Sequence, residues 1–381
     1  MSRLTNYLPL HVGRPNIGDS QAFLRRAEAA LTRGWLTNDG PLVKEFEQRV
    51  AEKAGVKHCI AICNATVALE LASRALGLRG EVILPSFTFV ATAHALQWQE
   101  ITPVFCDIDE KTHNLDPERI EQLITPRTTG IVGVHVWGRA CPVDAIEEIA
   151  ARRGLQVIFD AAHAFDCTHR GRPIGGFGRC EIFSFHATKF INSGEGGAIV
   201  TNDDELAAKL RLMRNFGFSG YDDVSYLGVN GKMNELSAAM GLTSLDSIDD
   251  FVAVNRRNYV AYREMLADLP GISVLDYGDG ERHNFQYVVV EIDQALAEVA
   301  RDDLYRYLHR HQVLARRYFY PGVHRMEPYR SYYPNAHLLL PATTKVADRV
   351  LVLPTGATVG TDAVEYVVDL IRRCVRDRVV A

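Results

Sequence analysis

Between residues 41 and 201, short apolar runs of strand length alternate with amphipathic stretches of helical period. This alternation constrains the fold more than any other feature of the chain. The candidate strands are residues 59–62, 82–84, 104–106, 131–136, 157–160, 182–185 and 198–201, and helices are predicted between them, clearest at 67–76 and 143–153. Strands that are apolar throughout, rather than on alternate positions, are covered on both faces, and helical crossovers make neighbouring strands parallel. The expectation is an α/β chain with a large, mostly parallel, seven-stranded sheet. After Asp203 the pattern changes. Helices are predicted at 205–215, 234–245 and 246–266, with a weakly periodic stretch rich in Gly, Tyr and Asp over 216–232 that reads as a functional loop. Strands near 272–275 and 286–292 and helices near 296–311 and 361–376 complete the chain. This predicts an N-terminal arm and large domain over residues 1–245 and a smaller α+β domain over 246–381.

Composition narrows the function classes. Hydrophobic residues make up 47% and charged residues 23%, with a net charge of −5 and no long basic run, which argues against nucleic acid. The seven cysteines show no C-x-x-C spacing, so no metal site is expected, and they read as reduced core thiols. No stretch reaches the ~18 apolar residues of a membrane span and the N-terminus carries no apolar signal core. A cytoplasmic location is expected.

Chemistry is suggested at two strand ends. Val157-Ile-Phe-Asp160 ends in an acid followed by Ala-Ala-His163, and Lys189 lies in a polar loop, Ser184-Phe-His-Ala-Thr-Lys189, before the turn Gly194-Glu-Gly-Gly197. A loop lysine is usually a solvated charge and a strand-end aspartate usually a helix cap. Together they are the pair that pyridoxal phosphate needs: an amine to capture its aldehyde and a carboxylate to keep its pyridine nitrogen protonated. Cys63-Asn-Ala-Thr66 follows a strand and opens a helix, a start that can cradle a phosphate or simply be capped by Asn64. Phe89, directly after a strand, is either a core aromatic or a plate for a flat ring. Gly175-Gly-Phe-Gly178 and Gly194–Gly197 lack the full dinucleotide pattern, which disfavours a nicotinamide site.

With these pieces in order, the chain resembles the DegT/DnrJ/EryC1/StrS sugar aminotransferases. The resemblance runs through Gly34-Trp-Leu-Thr-Asn-Asp-Gly-Pro41, Pro85-Ser-Phe-Thr-Phe-Val-Ala-Thr92, His135-Val-Trp-Gly138, Asp160-Ala-Ala-His163, residues 184–201 and Gly228-Val-Asn-Gly-Lys-Met-Asn-Glu235. It implies the aspartate aminotransferase-like architecture, fold type I of the pyridoxal phosphate enzymes. It also implies Lys189 as the Schiff-base lysine, Asp160 as the pyridinium partner and His163 beside the cofactor hydroxyl. Thr66, Val67 and Ser184 match the phosphate cradle, and Phe89 the stacking aromatic. Asn230 matches a residue that reaches the cofactor phosphate of a neighbouring subunit, which implies a homodimer with shared sites. Two motifs depart from the pattern. Asn64-Ala65-Thr66 stands where Ser-Gly-Thr is common, and Gly231-Lys232 where Tyr-Arg is common; Lys232 can pair with a carboxylate but not as a fork.

The runs His186-Ala-Thr-Lys189 and Gly194-Glu-Gly196 tilt the resemblance towards enzymes that aminate C4 of dTDP-4-keto-6-deoxy-D-glucose with L-glutamate. The product would be dTDP-4-amino-4,6-dideoxy-D-glucose, for glycosylated natural products or surface polysaccharides. The alternatives are a GDP- or UDP-linked 4-keto sugar, a dTDP-3-keto sugar, a keto-cyclitol or, outside enzymes, a regulator built on the same fold. A large anionic sugar nucleotide needs an open mouth. Trp35, Asn38, His135, Trp137, Asn192, Tyr320 and His324 are the candidates to line it, the last two close to Arg316-Arg317, with Lys232 as a further substrate contact.

Overall fold

The computed structural model describes residues 9–377, so the first residues of the expected arm and the last four of the chain lie outside the described residues. All seven expected runs are strands of one sheet: β1 (His58–Ile62), β2 (Glu81–Pro85), β3 (Thr102–Cys106), β4 (Thr128–Val134), β5 (Gln156–Asp160), β6 (Cys180–Ser184) and β7 (Gly197–Thr201). Their spatial order is β1-β7-β6-β5-β4-β2-β3. Only β7 runs antiparallel to its neighbours.

The continuous apolar runs are explained by two cores. Successive strand residues point to opposite faces. Cys59, Ala61, Ile83, Phe159 and Phe183 enter one cluster, while Ile60, Ile62, Leu84, Ile158 and Ile182 enter the other. Strand β4 ends at Val134 instead of running on to 136, because the chain turns sharply there: Trp137 sits in the left-handed region at φ 64.

Helices Val143–Arg153 and Thr361–Arg376 fall on their expected ranges, the first closed by Gly154 at φ 65. The helix expected at 67–76 begins earlier, at Ala65, because Asn64 caps it by accepting the Val67 amide at 2.9 Å. The stretch expected as one helix over 296–311 is a short turn, Gln294–Ala297, and a helix, Arg301–Arg310, separated by Glu298 at φ 55. Helices Ser20–Arg33, Pro41–Ala54 and Val90–Gln97 and strand Val350–Leu353 were not anticipated.

A second, antiparallel sheet orders β8 (Ile272–Val274), β9 (Val288–Ile292) and β10 (Val350–Leu353) in sequence. It shares a core with helices Ile248–Leu266 and Thr361–Arg376 through Tyr262, Val290, Leu351 and Val367. Leu10–His11 pairs in parallel with Val313–Leu314, so the start of the described chain is bound to this C-terminal part. What matters for function is the edge where β2, β5 and β6 end, which is where parallel sheets place ligands. Pro85, Asp160 and Ser184 are the last residues of those strands.

Candidate active site

Asp160 closes β5 and is buried. Its carboxylate accepts from the Thr92 hydroxyl at 2.8 Å and from the Ala162 amide at 3.1 Å. Burial pushes this carboxyl above the usual carboxylate range, while the Thr92 and Ala162 donors and the Lys189 charge hold it down. Lys189 hangs in the loop between β6 and β7, its amide bonded to the His186 carbonyl at 2.8 Å. Burial brings its amine down to about 8, with Asp160 pulling the other way. The amine donates to the Tyr287 hydroxyl at 3.4 Å. His163 is buried with its ring 4.7 Å from that of Tyr287 and stacked parallel to Phe319 at 5.7 Å. Burial and the Lys189 charge keep its imidazole well below the ordinary range, and its Nδ1 has no hydrogen-bond partner among the described residues. Lys189, Asp160 and His163 are thus brought together by two strand ends.

The helix Ala65–Ala75 starts beside them. The amides of its first turn have no partner within the helix. Asn64 occupies the Val67 amide, which leaves those of Ala65 and Thr66, with the Thr66 hydroxyl, to meet an anion. This removes the Val67 N–H from the expected cradle. The turn after Lys189 presses against the same helix start: a Cβ on Gly197 would lie 2.6 Å from the Ala65 nitrogen. Glycine is therefore required there for close approach. Ser184 is buried at the end of β6, its hydroxyl accepting weakly from the His186 amide at 3.4 Å.

Phe89 is 57% exposed, so it is no core aromatic. It borders a cavity of about 510 Å³, with Thr88 on its own side and Arg316, Arg317, Tyr318 and Tyr320 opposite. Two of its lining residues touch the buried site. Thr88 is bonded to Thr92 at 2.9 Å, and the Tyr318 ring meets that of Tyr287 at 6.1 Å.

The residues present fit pyridoxal phosphate on three observations. A half-buried amine sits within reach of a buried acid, a neutral imidazole nearby has an unused nitrogen, and a helix start has orphaned amides pinned beside them by Gly197. Among the described residues no group of His, Cys, Asp and Glu could hold a metal ion, and no helix is long and apolar enough to cross a membrane.

Four of the expected mouth residues do not line a mouth. His135 is fully buried between Glu181, 3.1 Å from its Nε2, and the Cys141 amide, and it stacks on Phe159. Trp137 is buried behind His163 by the left-handed turn and donates to His113. Asn192 turns inward to donate to the Asn16 carbonyl. His324 is buried against the Ser86 hydroxyl at 2.7 Å, and burial lowers it to about 4. Each follows a strand or turn from which the chain bends back into the core. Tyr320 does border the cavity, with the Arg301 and Arg317 guanidiniums over its ring. Trp35 and Asn38 are exposed, and the Trp35 indole donates to the Thr37 carbonyl at 2.6 Å. Lys232 donates to Asn215 at 2.8 Å and lies over the Phe216 ring, not against a carboxylate. Asn230 is exposed, on the loop whose Gly231 carbonyl accepts the Cys63 amide at 2.7 Å.

Thr92 and Tyr287 were missed. Thr92 lies inside the 85–92 motif, and its four-residue spacing from Thr88 on a helix start was the available signal. Tyr287 comes from the C-terminal part, and nothing local in the sequence points it at Lys189.

Comparison with known proteins places these residues in context. Residues 18–372 match the sequence profile of the DegT/DnrJ/EryC1/StrS aminotransferase family. A dTDP-4-amino-4,6-dideoxy-D-glucose transaminase of Shigella dysenteriae is 38% identical over 366 residues, 96% of this chain and 98% of the relative. A GDP-perosamine synthase of Caulobacter vibrioides is 39% identical over 304 residues, 77% of this chain and 80% of the relative. Among solved structures, DesI in the presence of its TDP-sugar product superposes with a TM-score of 0.93 at 51% identity, covering 97% of this chain and 93% of that one. PseC of Helicobacter pylori, an aminotransferase of pseudoaminic acid biosynthesis, superposes at 0.88 with 26% identity, covering 95% and 98%.

Proposed function

The chain belongs to the DegT/DnrJ/EryC1/StrS aminotransferase family, and we propose that it transfers the amino group of L-glutamate to C4 of dTDP-4-keto-6-deoxy-D-glucose, as a cytoplasmic homodimer that uses pyridoxal phosphate. The product is dTDP-4-amino-4,6-dideoxy-D-glucose. The observation that carries the chemistry is the meeting of Lys189 with Asp160 and His163 at the strand ends. The likeness to DesI, a TDP-sugar enzyme, at 51% identity supports the substrate. The GDP-perosamine synthase matches the Shigella enzyme in percent identity, though over a shorter stretch of the chain, which keeps a GDP-linked 4-keto sugar as the second reading.

Bound pyridoxal phosphate supplies an aldehyde that takes up an amino group and a ring that accepts electrons from the carbon losing its proton. The chain's own residues do the rest. Lys189, with an amine at about 8, is neutral often enough near neutral pH to act as nucleophile and then as the base that moves the proton. Asp160 would pair its carboxylate with the cofactor nitrogen, and Thr92 fixes that carboxylate by donating to it at 2.8 Å. Neutral His163 offers a nitrogen without adding positive charge. The Ala65 and Thr66 amides would hold the phosphate, and exposed Phe89 would offer its face to the ring. Arg316 and Arg317, beside Tyr320, suit the diphosphate of a sugar nucleotide.

The dimer reading is supported by apolar exposure on one face. Leu24, Leu31 and Leu236 lie open on the packed helices Ser20–Arg33 and Glu235–Asp246, and Leu36 lies open on the turn after the first of them. A panel of dTDP-, UDP- and GDP-linked 4-keto-6-deoxyhexoses with glutamate, analysed by mass and NMR of the product, tests the proposal. Nitrogen on C4 of the dTDP sugar is the expected result. Nitrogen on C3, or turnover confined to another base, refutes the substrate.

A further inference from the structure

We propose that Asn284, Gln286 and Tyr287, on the approach to β9, form a brace from the C-terminal part that sets the direction of the Lys189 amine, with Tyr287 as the group that touches it. The proposal rests on the reading of Lys189 as the residue that captures the cofactor.

The three side chains are buried, and each holds a different piece of the site. Asn284 donates to the carbonyls of His163 at 2.9 Å and Phe165 at 3.0 Å, so it grips the loop that follows Asp160. Gln286 accepts the Phe190 amide at 2.9 Å and so grips the residue after Lys189. Tyr287 accepts from the Lys189 amine at 3.4 Å and sets its ring against His163 at 4.7 Å and Trp137 at 5.4 Å. One short segment thereby joins the loop after β5 to the loop after β6.

The brace is itself fixed. Phe285, between two of its members, is in the left-handed region at φ 50, which lets the flanking side chains reach two separate loops. The Asn284 side chain accepts the Gln286 amide at 3.0 Å. Asn255, on helix Ile248–Leu266, donates to the Asn284 carbonyl at 3.1 Å. The Tyr277 hydroxyl donates to the carbonyl of Tyr287 at 2.9 Å and reaches that of Trp137 at 3.1 Å. Such over-determination is what holds an uncommon backbone conformation in place.

The consequence is chemical. Among the described residues Tyr287 is the side chain that accepts a hydrogen bond from the Lys189 amine. Burial raises its phenol well above the ordinary range, so it stays a neutral acceptor while Lys189 titrates. The other charged and titratable groups facing that amine are Asp160, which favours the ammonium, and His163, which is neutral. An acceptor on the ammonium stabilises the charged form, so its loss makes the amine easier to deprotonate.

The test uses the full-length protein freed of cofactor. Lys189 is labelled with acetic anhydride across a pH series and its peptide is followed by mass. In Tyr287→Phe the midpoint of labelling should move to lower pH than in the wild type. Gln286→Met leaves Tyr287 in place but frees the Phe190 amide, and should move the midpoint the same way as the amine drifts off the hydroxyl. In the cofactor-loaded enzyme Tyr287→Phe should lower kcat about tenfold with both KM values little changed, since a misdirected group loses rate rather than binding. Labelling profiles of both variants that coincide with the wild type would overturn the brace. The underlying reading is tested apart, by borohydride reduction of the wild type with pyridoxal phosphate. A shifted labelling profile without a reduced adduct on Lys189 upholds the brace and refutes the function.

Discussion

At the scale of single residues, Lys189 carries the largest expected effect. Replacing it by alanine removes both the nucleophile and the proton carrier, so Lys189→Ala should lose about a thousandfold or more in turnover while the fold persists. The measurement is steady-state amination against unfolding temperature, and wild-type-like turnover would sink the assignment. Its pH behaviour follows from its surroundings. Burial lowers the amine from the ordinary lysine range to about 8, so the neutral form grows as pH rises through that value. Stopped-flow capture of pyridoxal phosphate should therefore quicken from pH 6 to about 8 and level off above it; a rise that continues to pH 10 would mean that the amine is not depressed. Asp160 acts through charge, and Asp160→Asn should lose most activity with little change in shape. Thr92→Val probes the same carboxylate from the other side. It removes a 2.8 Å hydrogen bond to an acid, worth about 1.5–3 kcal/mol, and turnover should fall by at least about tenfold. The sequence made Asp160 legible because it stands where an apolar strand stops, and Lys189 because it lies in the short polar loop between two apolar strands. Thr92 and Tyr287 were not, since their role lies in which distant group they face.

At the scale of elements, the strands could be read because two cores demand apolar residues on both faces, and no other arrangement puts Ile158 and Phe159 into separate clusters. The short turns could not. Trp137 and His135 sit at a strand end, as a mouth residue would, but the left-handed turn buries Trp137, and Glu181 with the Cys141 amide holds His135 inside. Helix Ser20–Arg33 escaped for a related reason: its inward stripe of Ala22, Phe23, Arg26, Ala27 and Ala30 is mostly half-buried and made largely of small residues, so its apolar signal is weak. The contact between the turn before β7 and the start of helix Ala65–Ala75 yields a prediction at this scale. A methyl on Gly197 would stand 2.6 Å from the Ala65 nitrogen and 2.7 Å from the Asn64 carbonyl carbon, and backbone cannot swing aside as a side chain can. Overpacking of this kind costs about 1–3 kcal/mol. Gly197→Ala should weaken pyridoxal phosphate binding about tenfold or more, read from the visible absorbance on titration, with the far-UV spectrum unchanged. Undiminished affinity would show that the helix start does not hold the phosphate.

At the scale of the whole molecule, the question is whether one chain completes its own site. The loop that carries Asn230 and Lys232 is anchored at its base: the Val229 and Gly231 amides reach the carbonyls of Met213 and Arg214, and the Cys63 amide reaches Gly231. Yet Asn230 itself is exposed, and Tyr221, Tyr226 and Leu227 lie open on the preceding segment. A well-anchored loop with exposed apolar tips fits a surface that meets a second copy. In the proposed dimer Asn230 serves the neighbouring subunit's site while Lys189 serves its own. Lys189→Ala and Asn230→Asp should then each be inactive alone. Mixed under conditions that exchange subunits, they form a heterodimer in which one site lacks both residues. The other site takes Lys189 from the Asn230→Asp chain and Asn230 from the Lys189→Ala chain, and it is whole. Activity should return, to at most half the wild-type rate per heterodimer. If native mass spectrometry confirms exchange and no activity returns, Asn230 works within its own subunit or not at all, and the exposed loop needs another explanation.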